Sequence, residues 1–211
     1  MDIAKLTVDE FLTRLSSSDP TPGGGALAGL AGAMAAAMLA MVCNLTVGRP
    51  RYADVDEAIR AILSDAEAQQ RALLDLANAD ADAYGAVRDA YKLPQSTDNE
   101  KAARTGAIAK SMERATEVPV QTAEAARAVL ALAASAGEIS NRLMLGDVAV
   151  AAHLALSAAR AAADQARLNL LGMPPTEFAT EMERRIAGAL AGADQDTQRA
   201  LDAVQRRAGG G

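Results

Sequence analysis

The chain has no Trp, and its 211 residues include only two Phe, three Tyr, one His and one Cys. One thiol excludes a disulfide framework and a cysteine zinc site. Cys43 lies in an apolar run and reads as a buried small hydrophobe in a reducing compartment. With His153 as the only histidine, there is no Cys–His pair, no Ser–His–Asp arrangement and no metal-ligand cluster. Neither a metal nor a cofactor is expected, and His153 reads as a satisfied core or surface residue. Positive charge is also in deficit. Lys and Arg number 21 against 27 Asp and Glu, a formal net charge of −6. That balance argues against nucleic acid and anionic membranes as partners. The start, "MDIAKLTVDEFL", lacks a basic segment followed by an apolar one, so a cytoplasmic protein is the expectation. Sustained alternation of period two is missing too, and with it any sign of a strand.

What is present is alanine. Half of the residues are hydrophobic, and an alanine core works when backbones approach closely, as helices with small faces do. Residues 26–47 carry no charge. That length could cross a bilayer, but Ala, Gly and Met drive insertion weakly, so a buried helix is the expectation. Gly25, Gly29, Ala33 and Ala37 recur every four residues from the first residue of that helix, a row suited to close helix contact.

Punctuation divides the rest. Thr7 and Glu10 form a capping box, with a short helix starting near Val8. "SSSDPTPGGG" is a loop. A helix over 25–47 is broken by Pro50, and a long amphipathic helix follows over 53–91. Thr97 and Glu100 form a second capping box ahead of a helix over 99–117. Pro119 fits the first position of a further helix reaching 136. "SAGEISNRLMLGD" is irregular, a helix covers 147–171, and "GMPP" stops it. Thr176 caps a last helix to about 206, with 207–211 as a frayed tail. The expectation is an all-α, single-domain bundle of seven or eight helices spanning 1–211, with no sheet.

Chemistry has few places to sit. "PTPGGG" before a helix offers free N–H groups. No Lys-Ser/Thr follows and no strand precedes, so it is not a nucleotide loop; a ligand-accessible loop and a tight turn both remain. Asn44, Asp147 and the pair Gln165 and Asn169, one turn apart, are polar groups in apolar helices and need partners or a ligand. Asp147 also suits a helix N-cap. In "NADADAY", Asp80 and Tyr84 share a face, which also fits a solvated acidic surface.

These blocks resemble the cyclodeaminase/cyclohydrolase family. "SDPTPGGGALAGLAGAMAAAMLAMVCNLTVGRPRY" is similar to its opening signature, and "DADAYGAVRDAYKLP", "TDNEKAARTGAIAKSMERATEVP" and "NRLMLGDVAVAAHLALSAARAAADQARLNL" continue it over about residues 5–180. "GRPRY" departs from the usual lysine-rich stretch. Leu143, Gly146 and Gln165 stand where Asn, Ser and Asn are common. The resemblance implies an all-helical homodimer acting on a tetrahydrofolate. One reaction is hydrolysis of 5,10-methenyltetrahydrofolate to 10-formyltetrahydrofolate. The other is cyclisation of 5-formiminotetrahydrofolate with loss of ammonia. A folate-binding protein without catalysis is the remaining alternative. The resemblance implies catalytic carboxylates at Asp147, favoured as base or cation stabiliser, and at Asp80. It implies substrate contacts at Pro22, Gly23, Gly24, Gly25, Asn44, Tyr52, Asn141 and Asn169, with Arg49 and Arg51 for the glutamate tail.

Overall fold

The structure is a computed structural model describing residues 2–209. Seven α-helices follow in order: α1 Val8–Leu15, α2 Gly24–Asn44, α3 Asp56–Tyr91, α4 Asp98–Ile139, α5 Leu145–Leu171, α6 Glu177–Leu190 and α7 Ala193–Gly209. Three short 3₁₀ turns, Ile3–Lys5, Pro50–Val55 and Arg142–Met144, punctuate them. No strand occurs among the described residues. Helices α2 to α5 form a closed ring of four, each packed on the next, and α6 and α7 cover the α4/α5 side.

The packing follows from small residues. A β-carbon on Gly29 would lie 3.0 Å from Leu73 O and from Ala77 Cβ, and one on Gly32 would lie 3.0 Å from Leu73 Cδ2. The glycines thus let α3 approach α2 more closely than alanine would, which offsets their roughly 1 kcal/mol helix penalty. Ala35, Ala36 and Leu39 of α2 are fully buried with Ala126, Val129 and Ala133 of α4 and Ala155 and Ala159 of α5. α2 and the stretch Arg142–Leu171 are long and apolar enough to cross a membrane by length and composition. In this fold they are central packing helices, and 61% of the most apolar window of α2 is buried.

Both capping boxes form: Thr7 and Thr97 accept from the N–H of Glu10 and Glu100, whose side chains bond back. Thr176 accepts from the N–H of Ala179. Four expectations are corrected. α2 ends at Asn44, not Val47. α4 runs unbroken through Pro119 instead of restarting there. α5 begins at Leu145 with Met144 as its N-cap, so Asp147 sits within the first turn and is not the cap. The last helix divides at Gly192, whose φ of 70° lies in the left-handed region that favours glycine and which separates α6 from α7. The tail expected from 207 is helical through Gly209; Gly210 and Gly211 lie outside the described residues.

Candidate functional site

α2 and α5 run antiparallel. The Gly24 end of α2 meets Gln165 near the end of α5. At the other end Asn141 Nδ2 donates to Leu45 O at 3.0 Å, just ahead of α5. Each end carries a polar concavity.

At the first end is a cavity of 280 Å³ lined by Gly23, Gly24 and Gly25, Asp80 and Tyr84 of α3, Met112 and Ala115 of α4, and Gln165 and Asn169 of α5. Pro22 is buried behind this loop and Thr21 joins the lining. Gly23 is the extended N-cap of α2 and offers no capping side chain. Asp80 supplies a carboxylate instead and accepts from the N–H of Ala26. The arrangement places negative charge at the positive end of a helix. Burial nevertheless pushes the Asp80 carboxyl above its ordinary 3.8, the Ala26 hydrogen bond opposing that shift. An acid raised in this way is suited to giving and taking protons.

The α5 wall is polar. Asn169 Nδ2 donates to Ala115 O at 2.8 Å. That carbonyl is the one Pro119, lacking an N–H, leaves without its helical partner. Asn169 thereby repairs the gap, which is why α4 can continue through a proline.

At the second end, Arg49, Pro50, Arg51, Tyr52, Asn141, Arg142 and Leu143 line an open concavity of 750 Å³. Asn141 is buried, and its polar atoms are engaged. Its N–H donates to Thr46 Oγ1 at 2.9 Å, and its Oδ1 accepts from the N–H of Leu143 at 3.1 Å. Tyr52 Oη accepts from the N–H of Arg142 at 3.0 Å. Arg49 and Arg51 are exposed on the rim, Leu143 is 82% exposed, and Asn44 is exposed on the last turn of α2.

The sequence-derived residues thus divide. Gly23, Gly24, Gly25, Asp80 and Asn169 come together. Asn44, Arg49, Arg51, Tyr52 and Asn141 gather at the opposite end. Asp147, in the first turn of α5, is separated from Gln165 by about 27 Å along the helix. Within one chain Asp80 and Asp147 are therefore not a carboxylate pair. Met112 and Ala115 were not assigned to a site from sequence; Gln165 was marked by its spacing with Asn169 and its departure from the family pattern, and Tyr84 by the face it shares with Asp80, but neither was given a site role. His153 is exposed. Cys43 is fully buried, and burial pushes its thiol up to about 11, so it is not a nucleophile.

A family profile described as formiminotransferase-cyclodeaminase matches residues 7–188. The chain belongs to the formiminotransferase-cyclodeaminase family. A methenyltetrahydrofolate cyclohydrolase of Methylorubrum extorquens is 37% identical over 201 residues, covering 95% of this chain and 97% of that protein. The rat formimidoyltransferase-cyclodeaminase is 28% identical over 93% of this chain, which spans 36% of that longer protein. The crystal structure of formiminotetrahydrofolate cyclodeaminase from Thermotoga maritima superposes with a TM-score of 0.87 at 25% identity, covering 97% of this chain and 98% of that one. The chain is an enzyme of the formiminotransferase-cyclodeaminase family, and its fold is the helical fold of that cyclodeaminase.

Proposed function

We propose that this enzyme hydrolyses 5,10-methenyltetrahydrofolate to 10-formyltetrahydrofolate, using Asp80 as base and then acid. The observation that carries the reading is the raised Asp80 carboxyl at the glycine loop, inside a cavity sized for a bicyclic ring. Identity to the cyclohydrolase across nearly the full length of both chains supports the choice of reaction.

The methenyl carbon sits in a cationic amidinium, and a carboxylate beside it stabilises that charge. Water attacks this carbon, forming the C–O bond, while Asp80 takes one proton from the water. The tetrahedral adduct then collapses. The bond from N5 to the carbon breaks, Asp80 returns its proton to N5, and the hydroxyl proton leaves to solvent as the formyl C=O forms. One carboxyl serves both steps, so no second carboxylate is needed beside it.

Gly23, Gly24 and Gly25 let the ring lie against backbone, with Asn169 bonding its edge and Pro22 shaping the loop. The other assigned residues, Asn44, Arg49, Arg51, Tyr52, Asn141 and Asp147, lie too far along α2 for a monoglutamyl substrate in the same chain. A homodimer accounts for them. Leu27, Met34 and Met41, seven residues apart, are 43%, 48% and 40% exposed and form an apolar stripe along α2. Pairing two copies antiparallel along that stripe sets one chain's arginine end beside the other's glycine loop. There Arg49 and Arg51 meet the glutamate tail and Asp147 adds negative potential near the cation. We place the enzyme in the cytoplasm, without resident cofactor, nucleic acid or membrane partner; the acidic surface supports this.

The likeness to the Thermotoga cyclodeaminase favours a second reading, in which the same site closes 5-formiminotetrahydrofolate and releases ammonia. The test is to offer purified enzyme each substrate. Faster loss of the methenyl near-ultraviolet absorbance supports hydrolysis. Gain of that absorbance with ammonia from the formimino compound, and no hydrolysis, supports cyclisation. Inertness toward both rejects the proposal.

A further inference from the structure

The last turn of α7 closes on the end of α4 through two arginines that serve each other's helices. Arg207, half-buried, donates from Nη1 to Gly137 O at 2.7 Å and from Nη2 to Ser140 O. In a continuing helix Gly137 O would accept from Asn141 N–H, but that N–H donates to Thr46 Oγ1 at 2.9 Å instead. Arg207 takes its place on the carbonyl, and its charge meets the negative end of α4. In return Arg142 donates from Nη2 to Arg207 O, in the last turn of α7.

The segment held in this way lines the arginine-end concavity. Arg142 N–H donates to Tyr52 Oη at 3.0 Å, and Tyr52 N–H donates to Arg49 O at 2.8 Å. Tyr52 and Arg51 lie in the Pro50–Val55 turn, and Arg49 is its N-cap. Hydrogen bonds joined by the short stretch 140–142 therefore lead from Arg207 to the turn that carries Arg49 and Arg51. Neither of these two side chains has a partner among the described residues, so the turn alone sets where they stand. Asn141 is also anchored to the end of α2, through Leu45 O and Thr46 Oγ1. The loop thus keeps a hold on the core that does not pass through Arg207.

We propose that Arg207 is a positioning residue for the anion-binding turn: by holding Ser140 and Arg142 it fixes Tyr52, and through Tyr52 it sets Arg49 and Arg51 for an anionic tail. The inference rests on the folate reading, in which these two arginines meet the glutamate tail. Arg207 lies beyond residues 7–188, the stretch that the family profile matches, so that match assigns it no role.

The experiment measures kcat and KM of the full chain for 5,10-methenyltetrahydrofolate and for 5,10-methenyltetrahydropteroate, which lacks the glutamate. In wild type the tail lowers KM about tenfold or more, and Arg49→Ala combined with Arg51→Ala removes most of that difference. Arg207→Met raises KM for the glutamyl substrate about threefold to tenfold. It leaves kcat within about twofold and KM for the tail-free substrate unchanged. Tyr52→Phe, which deletes only the hydroxyl, gives the same selective rise. Arg207→Lys, a cation without the fork, gives a smaller one, and it takes the place of Arg207→Met should that variant not fold. General loosening of the fold moves both KM values together. If the Arg207 variant raises both equally, or neither, the positioning role is overturned. If Tyr52→Phe leaves both unchanged, the route through Tyr52 is overturned. If wild type does not distinguish the two substrates, or the Arg49 and Arg51 variant keeps the distinction, the tail assignment fails and this inference with it, while hydrolysis at Asp80 stands. If wild type turns over neither substrate, the folate reading itself fails, and the inference with it.

Discussion

A β-carbon on Gly25 would stand 2.5 Å from Asp80 Cγ, closer than any real contact. The absence of a side chain at the second residue of α2 is therefore what allows the carboxylate of α3 to rest on the start of that helix and accept from Ala26 N–H. Gly25→Ala must displace Asp80, since the collision is with a short side chain. Turnover of methenyltetrahydrofolate is expected to fall about 100-fold or more, as when a general base is lost, with helical circular dichroism retained. Unchanged turnover would show that Asp80 need not sit there.

The raised Asp80 carboxyl also fixes a sign for stability. A group whose folded pKa lies above its unfolded value favours folding below the unfolded pKa, and that contribution is lost as pH rises through the folded pKa. At neutral pH the ionised Asp80 is thus a cost. Asp80→Asn, which keeps an acceptor for Ala26 N–H, is expected to raise Tm at pH 7. The gain should shrink toward zero as pH falls through the raised pKa to below the ordinary 3.8. A Tm gain that does not vary with pH would remove the titration from the explanation. The acid limb of the rate profile should likewise lie above the ordinary carboxylate value.

Pro119 and Asn169 are coupled through Ala115 O. Asn169→Ala leaves that carbonyl unpaired and is expected to cost about 1–3 kcal/mol in urea unfolding. In a Pro119→Ala background the helix supplies its own N–H, and the same substitution should cost less. Equal costs in the two backgrounds would mean that no repair takes place.

Met34→Lys probes the α2 stripe. Met34 is 48% exposed in the single chain, so the substitution should change monomer stability by only about 0.5 kcal/mol. A charge at the centre of an apolar dimer contact should weaken association strongly and lower turnover with it. Light scattering coupled to gel filtration reads the first and the absorbance assay the second. A fully dimeric, active Met34→Lys enzyme places the interface elsewhere.

Local signals were legible from the residues alone. The capping boxes at Thr7 and Thr97 depend on neighbours three residues away, and they form as the sequence indicates. The all-helical core was legible from its alanine content and from the small-residue row of α2. Pro119 was misread because its remedy, the amide of Asn169, lies 50 residues further on in the chain. Asp147 was misread as a cap because nothing local distinguishes a helix starting at Leu145 from one starting two residues later. Asp80 stayed ambiguous because its burial depends on the glycine end of α2 arriving against α3. The division of the site residues between two ends was foreshadowed by the length of α2, which is about 30 Å.

The most direct test of Asp80 chemistry at the glycine loop compares kcat/KM for methenyltetrahydrofolate hydrolysis in wild type and Asp80→Asn at pH 7, with circular dichroism as the check on folding. The expected result is a rapid wild type and a folded Asp80→Asn enzyme at least about 100-fold slower. A folded Asp80→Asn enzyme with near-normal kcat/KM would contradict it.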